Sequence, residues 1–69
     1  MNLTINGDPQ SFNDDPPDTV GQLLKRLDIP AKRGVAVAQN DAVIPRSQWD
    51  ETPVEDGDRL EIIQATQGG

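Results

Sequence analysis

The 69-residue chain contains no cysteine and no histidine. Thiol nucleophiles, disulfides, imidazole bases and most zinc-binding sets are thereby excluded together; if this protein handles sulfur, the sulfur is not a cysteine's. Positive charge is also scarce. Six lysines and arginines against twelve aspartates and glutamates leave a net charge of −6, the wrong sign for a phosphate backbone, so nucleic acid is not expected as a partner. The acidity favours solubility first and encounter with a basic partner surface second. No window approaches the roughly 20 apolar residues that a membrane span requires. The opening Met1-Asn2-Leu3-Thr4-Ile5 lacks the basic and apolar regions of a signal peptide. The expected setting is cytoplasmic, with no membrane partner. At 69 residues the chain makes one domain, near the lower limit for folding without a metal or disulfide, and leaves no room for a separate catalytic domain.

Hydrophobic periodicity organises what remains. Leu3 and Ile5 alternate with Asn2, Thr4 and Asn6, the period of a strand with one buried face, and Asn6-Gly7 supplies a turn into a return strand at Gln10-Ser11-Phe12. Asp14-Asp15-Pro16-Pro17-Asp18 cannot continue a strand, whereas Thr19 with Gln22 three residues on has the form of a capping box. The helix expected there carries Val20, Leu23, Leu24 and Leu27 on one stripe and exits at Ile29-Pro30. Val35 and Val37 alternate with Ala36 and Ala38 in a third strand. Asn40-Asp41 turns into a brief strand at Val43-Ile44, ended by Pro45. Arg46 to Asp50 reads as a short helical turn weakly capped by Ser47, with Trp49 packing inward. Glu55-Asp56-Gly57-Asp58 is a turn, and Arg59 to Gln64 is the last strand. The expected fold is α+β: a ubiquitin-like β-grasp, with a mixed four- to five-stranded sheet on one helix. Its domain spans residues 1–64, and residues 65–69 form a flexible tail.

That tail, Ala65-Thr66-Gln67-Gly68-Gly69, has no side chain bulkier than glutamine. Glycine has no Cβ, so a terminal Gly-Gly can thread a narrow channel and present its carboxylate without shielding. A carboxylate is a poor electrophile, and the chain offers no histidine, cysteine or glycine-rich phosphate loop to activate it. The chemistry must be borrowed.

Val35-Ala36-Val37-Ala38-Gln39-Asn40, Val43-Ile44-Pro45-Arg46-Ser47-Gln48-Trp49, Asp56-Gly57-Asp58-Arg59-Leu60-Glu61-Ile62 and the final Gln67-Gly68-Gly69 together resemble the ThiS family of sulfur carrier proteins of thiamine biosynthesis. The Ile44 to Trp49 stretch is the most discriminating. The acidic, proline-bearing Asp14 to Asp18 segment departs from the pattern, away from the working end. The resemblance implies that an adenylating, ThiF-type enzyme uses ATP to adenylate the carboxylate of Gly69. Sulfur from a cysteine desulfurase or related donor then displaces AMP to leave a thiocarboxylate, and a ThiG-type thiazole synthase consumes that sulfur. The carrier itself is not an enzyme and binds no cofactor.

On the last strand Ile63 and Ala65 are expected to share an outward face with Ala36 and Ala38, a flat apolar patch fit for docking a partner. Arg59 and Arg46 either meet acidic groups of that partner or pair with local aspartates. The expected interface is therefore Ile63, Ala36, Ala38 and Arg59, and the threading residues are Gly68, Gln67, Thr66 and Ala65. The acidic pairs Asp14-Asp15 and Asp50-Glu51 lack the ligand spacing of a cation loop and are expected to be solvated surface, with no metal site. Competing readings are a carrier resembling the small subunit of molybdopterin synthase, a ubiquitin-like modifier joined to lysines through Gly69, and a plain binding module.

Overall fold

In the computed structural model, which describes residues 1–30 and 34–65, the expected opening hairpin is present with its return strand reframed. Strand β1 (Asn2–Ile5) pairs antiparallel with β2 (Asp8–Ser11), not with Gln10–Phe12, because Ile5 already sits opposite Asp8. Asn6 and Gly7, at φ 52° and 85°, complete a two-residue turn whose twist matches the strands, so pairing resumes immediately after it. Phe12 keeps two links to Met1: its N–H donates to the Met1 carbonyl at 2.8 Å and its carbonyl accepts from the Met1 ammonium at 3.0 Å. Pro9, which has no N–H, lies on the edge strand, where the sheet tolerates it.

Helix α1 (Val20–Arg26) begins as its sequence indicates: Thr19 Oγ1 accepts from the Gln22 N–H at 3.2 Å. The return bond falls one residue early, with Gln22 Oε1 accepting from the Asp18 N–H at 2.9 Å, beside a β-bridge between Thr19 and Pro53. The helix stops before the expected Ile29-Pro30 exit. Asp28 enters the left-handed region at φ 62°, its N–H donates to the Lys25 carbonyl, and the Ile29 N–H donates to that of Leu24 at 2.9 Å. This is a Schellman closure with aspartate in the place usually held by glycine. Gly21 packs closely against Asp50: a Cβ there would meet the Asp50 carboxylate, which would have to swing aside.

Strands β3 (Val35–Gln39) and β4 (Ala42–Ile44) are joined by Asn40 and Asp41, both at positive φ. A 3-10 helix follows at Arg46–Glu51, with Pro45 rather than Ser47 at its N-cap and no side-chain cap bond. Strand β5 (Arg59–Gln64) then enters the middle of the sheet, whose order is β2-β1-β5-β3-β4. It runs parallel to β1 and antiparallel to β3, the mixed β-grasp arrangement expected. The helix stripe of Val20, Leu23 and Leu24 packs with Leu3, Ile5, Val37, Leu60 and Ile62, and Trp49 and Val54 close the core. Trp49 is buried as expected, and its Nε1 donates to the Ile44 carbonyl at 2.9 Å.

The acidic segment before the helix is secured by Arg26. Its guanidinium donates to the carbonyls of Asp14 and Asp15 and lies 5.7 Å from the centroid of the Phe12 ring.

Candidate functional site

Side chains alternate across a strand. The register Ala36↔Ile63 and Ala38↔Glu61 therefore sends Ala36, Ala38 and Ile63 to the face opposite α1, as expected. The pairing Ala38↔Val43 adds Val43 to the same face. Ile63 and Val43 are 65 % and 76 % exposed, while Val37 between their strands is buried. Together with Ala36, Ala38 and Glu61 they line a shallow apolar depression. Val43 was missed in the sequence because its strand is only three residues long. The available signal was its alternation with Ile44, whose side chain belongs to the core side.

Arg59 stands at the border of this face, where its Nη2 donates to Asp41 Oδ2 at 2.8 Å. Both side chains are well exposed, so the pair contributes under about 1 kcal/mol. Its chief effect is to balance the charge of Arg59. Arg46 lies elsewhere, beside Lys25, Trp49 and Asp50 in the hollow between α1 and the 3-10 helix.

Three hydrogen-bonding groups fix β5 beneath this face. Asn6 ends β1 with its side-chain amide acting as one more rung: Oδ1 accepts from the Ile62 N–H at 2.8 Å and Nδ2 donates to the Ile62 carbonyl at 3.1 Å. At the start of β5, Asn40 Oδ1 accepts from the Arg59 N–H. Asp58 accepts from Asn40 Nδ2, Gln39 Nε2 and the Glu55 N–H at 2.8–3.0 Å. Burial alone would raise the Asp58 carboxyl, yet those three hydrogen bonds together outweigh it and hold its pKa below the ordinary 3.8.

Beyond β5, the Ala65 N–H donates to the Gly34 carbonyl at 2.6 Å. Gly34 has φ 87°, and a Cβ there would come within 3.5 Å of Ala65. Ala65 is exposed and anchored at the root of the tail. Thr66, Gln67, Gly68 and Gly69 lie outside the described residues. Among the described residues no cluster of three or more metal-ligating side chains occurs, and no helix is long and apolar enough to cross a membrane.

Comparison with known proteins agrees with this geometry. The ThiS family model matches residues 3–69. The sulfur carrier protein ThiS of Escherichia coli is 41% identical over 51 residues, which cover 74% of this chain and 76% of that protein. A thiazole synthase of Paramagnetospirillum magneticum is 38% identical over 69 residues, all of this chain but 20% of that protein; the chain thus spans a fifth of the synthase's length. The crystal structure of a thiamine biosynthesis protein (ThiS) from Geobacter metallireducens superposes with a TM-score of 0.83 at 36% identity, each chain covered completely. A mixed five-stranded sheet, closed at its centre by parallel β1 and β5 and packed on one helix, defines a ubiquitin-like β-grasp protein. Within that class the chain belongs to the ThiS family.

Proposed function

We propose that this protein is a sulfur carrier for thiazole formation in thiamine biosynthesis, loaded and unloaded at the carboxylate of Gly69. The observation that carries the reading is a family match that runs through residue 69 and so includes the Gly68-Gly69 end. In the first step a Gly69 carboxylate oxygen attacks the α-phosphorus of ATP on an adenylating, ThiF-type enzyme, and pyrophosphate leaves. A sulfide-equivalent nucleophile, supplied through a cysteine desulfurase or a related donor, then attacks the activated carbonyl carbon. AMP departs with the displaced oxygen, and a thiocarboxylate remains. A ThiG-type thiazole synthase accepts the sulfur. That a thiazole synthase contains a stretch similar to the whole of this chain supports such a pairing.

The carrier acts as a cosubstrate, and ATP is consumed on the partner. The four residues after Ala65 reach at most about 14 Å, so the body must dock closely while Thr66, Gln67 and Gly68 thread Gly69 into a buried site. Ala36, Ala38, Ile63 and Val43 form the docking face, with Arg59 at its rim. The setting is cytoplasmic, where ATP and the sulfur donor are at hand.

Intact-mass spectrometry after incubation with a ThiF-type enzyme, ATP and a sulfur source tests the reading. It expects a gain of roughly 16 Da at the C-terminus, oxygen replaced by sulfur. Adenylation without that gain, accompanied by adducts on lysines, would instead identify a protein modifier. Sulfur delivery to molybdopterin synthase alone would reassign the pathway.

A further inference from the structure

Alternation along β5 divides its backbone groups between two neighbours. Residues 59, 61, 63 and 65 direct N–H and C=O toward β3, as the Asn40–Arg59 and Gly34–Ala65 bonds show. Residues 58, 60 and 62 direct theirs toward β1: the Asp58 and Leu60 carbonyls accept from the Thr4 and Asn6 N–H groups at 3.0 and 2.9 Å, and both backbone groups of Ile62 are taken by the Asn6 side chain. Gln64 comes next in that series. By then β1 has ended at Ile5 and the chain has turned away through Asn6-Gly7, and opposite Val35 Gln64 occupies the rung whose backbone groups point away from β3. Among the described residues the register thus offers neither its N–H nor its carbonyl a rung on β3 or β1, and the residue is exposed.

We propose that the β1-side edge of β5 at Gln64 is a strand-docking site that accepts an extended segment of the enzyme acting on Gly69. An extended backbone is the occupant whose hydrogen-bonding groups match an open rung. The position favours the same enzyme, because only four residues separate Ala65, already held by Gly34, from the reacting carboxylate. Asn6 gives the edge its starting point: by closing the Ile62 rung with a side chain, it makes Gln64 the first open position. A segment paired there would fix where the tail leaves the body and so orient Gly69 for attack.

The inference rests on the carrier reading, and one set of assays separates the two. Wild-type protein is first tested for ATP–pyrophosphate exchange with a ThiF-type enzyme; no exchange would overturn the carrier reading and this inference with it. Given exchange, site-resolved hydrogen exchange should show the Gln64 amide fast in the free protein and at least about tenfold slower in the complex. Q64P removes the N–H without breaking any described ladder bond and should lower kcat/KM for adenylation at least about tenfold, mainly through KM. Q64A, which keeps the N–H, should stay within about twofold of wild type. Unchanged exchange at Gln64 in the complex, wild-type kinetics for Q64P, or equal losses in Q64P and Q64A would each overturn the proposal while leaving sulfur carriage intact. If Q64P does not fold, the exchange result on the wild-type complex decides.

Discussion

Removing the Asn6 amide should loosen the centre of the sheet by an amount that the two bonds to Ile62 allow to be worked out. Asn6 contributes a donor at 3.1 Å and an acceptor at 2.8 Å, each of net worth about 1 kcal/mol. It also occupies φ 52°, where a non-glycine residue lacking asparagine's local hydrogen bonding is strained by about 1–2 kcal/mol. N6G keeps the backbone relaxed and loses the two bonds, so it should cost about 2 kcal/mol. N6A loses the bonds and adds the strain, for a total of about 3–4 kcal/mol. In a domain of this size each kcal/mol lowers Tm by about 4–8 °C, which makes both variants easy to distinguish from wild type. Urea titration followed by Trp49 fluorescence is the assay, with the midpoint expected to fall at unchanged slope. The reasoning fails if N6G lies within about 0.5 kcal/mol of wild type, since the amide would then not be holding β5. It fails equally if N6A is no less stable than N6G, since positive φ would then carry no cost.

Deleting Gly69 should abolish the thiocarboxylate mass gain and leave Tm within about 1 °C of wild type; a substantial fall in Tm would show that the terminus is part of the folded body. L24A, at a position 1 % exposed, should cost about 2–5 kcal/mol by opening a core cavity, read as a lower urea midpoint. Because the folded-state pKa of Asp58 lies below its unfolded value of 3.8, its contribution is fully present above that value and is lost as pH falls through the lowered folded value. Urea midpoints measured from neutral to acid pH should therefore decline below about pH 4 more steeply in wild type than in D58N, and parallel profiles would contradict the assigned network. V43D and I63D should raise KM for adenylation at least about tenfold with Tm nearly unchanged; unaltered KM would place the docking face elsewhere.

Periodicity made most of the fold legible. The stripe of Val20, Leu23 and Leu24 and the alternation of Leu3 with Ile5, Val35 with Val37 and Leu60 with Ile62 each indicate one buried face, and the structure buries those faces against one another. What the sequence concealed depends on register. Asn6-Gly7 is readable as a turn, but the reach of the Asn6 amide to Ile62, 56 residues away, exists only because β1 and β5 run parallel in one particular frame. The return strand is misframed in the sequence for a similar reason: whether pairing starts at Asp8 or Gln10 is decided by turn geometry, and both readings contain plausible strand residues. The Asp14-Asp15 pair is exposed, as its sequence indicates; hidden from the sequence was the use of its backbone carbonyls as acceptors for Arg26. At the site, Ala36, Ala38 and Ile63 could be placed together by parity alone. Val43 required its pairing with Ala38, and the open rung at Gln64 required the bonding of both neighbouring strands. The Gly68-Gly69 end is legible from composition and resemblance and lies outside the described residues.

The two exposed large apolar side chains bear on function through what a small domain can spare. Full burial of a valine or isoleucine is worth about 1.5–3 kcal/mol, and a domain of this length has a net stability of only about 3–10 kcal/mol. Leaving Val43 and Ile63 largely in water therefore forgoes a substantial share of attainable stability. Scattered apolar residues on a surface need no special account, but these two are not scattered. They flank β3 on adjacent strands, with only Ala36 and Ala38 between them, and small side chains there keep the surface flat. Glu61 borders the same depression, and Asp41 offsets the charge of Arg59 at its margin. Among the described residues the face is thus apolar at its centre, with Glu61 the charge left unbalanced on its border, and continuous with the strand that leads to Ala65. A partner surface with an apolar centre and a basic rim would complement it. The proposed carrier role adds a different demand, a narrow channel for the small residues of the tail, so that one enzyme could recognise body and tail separately.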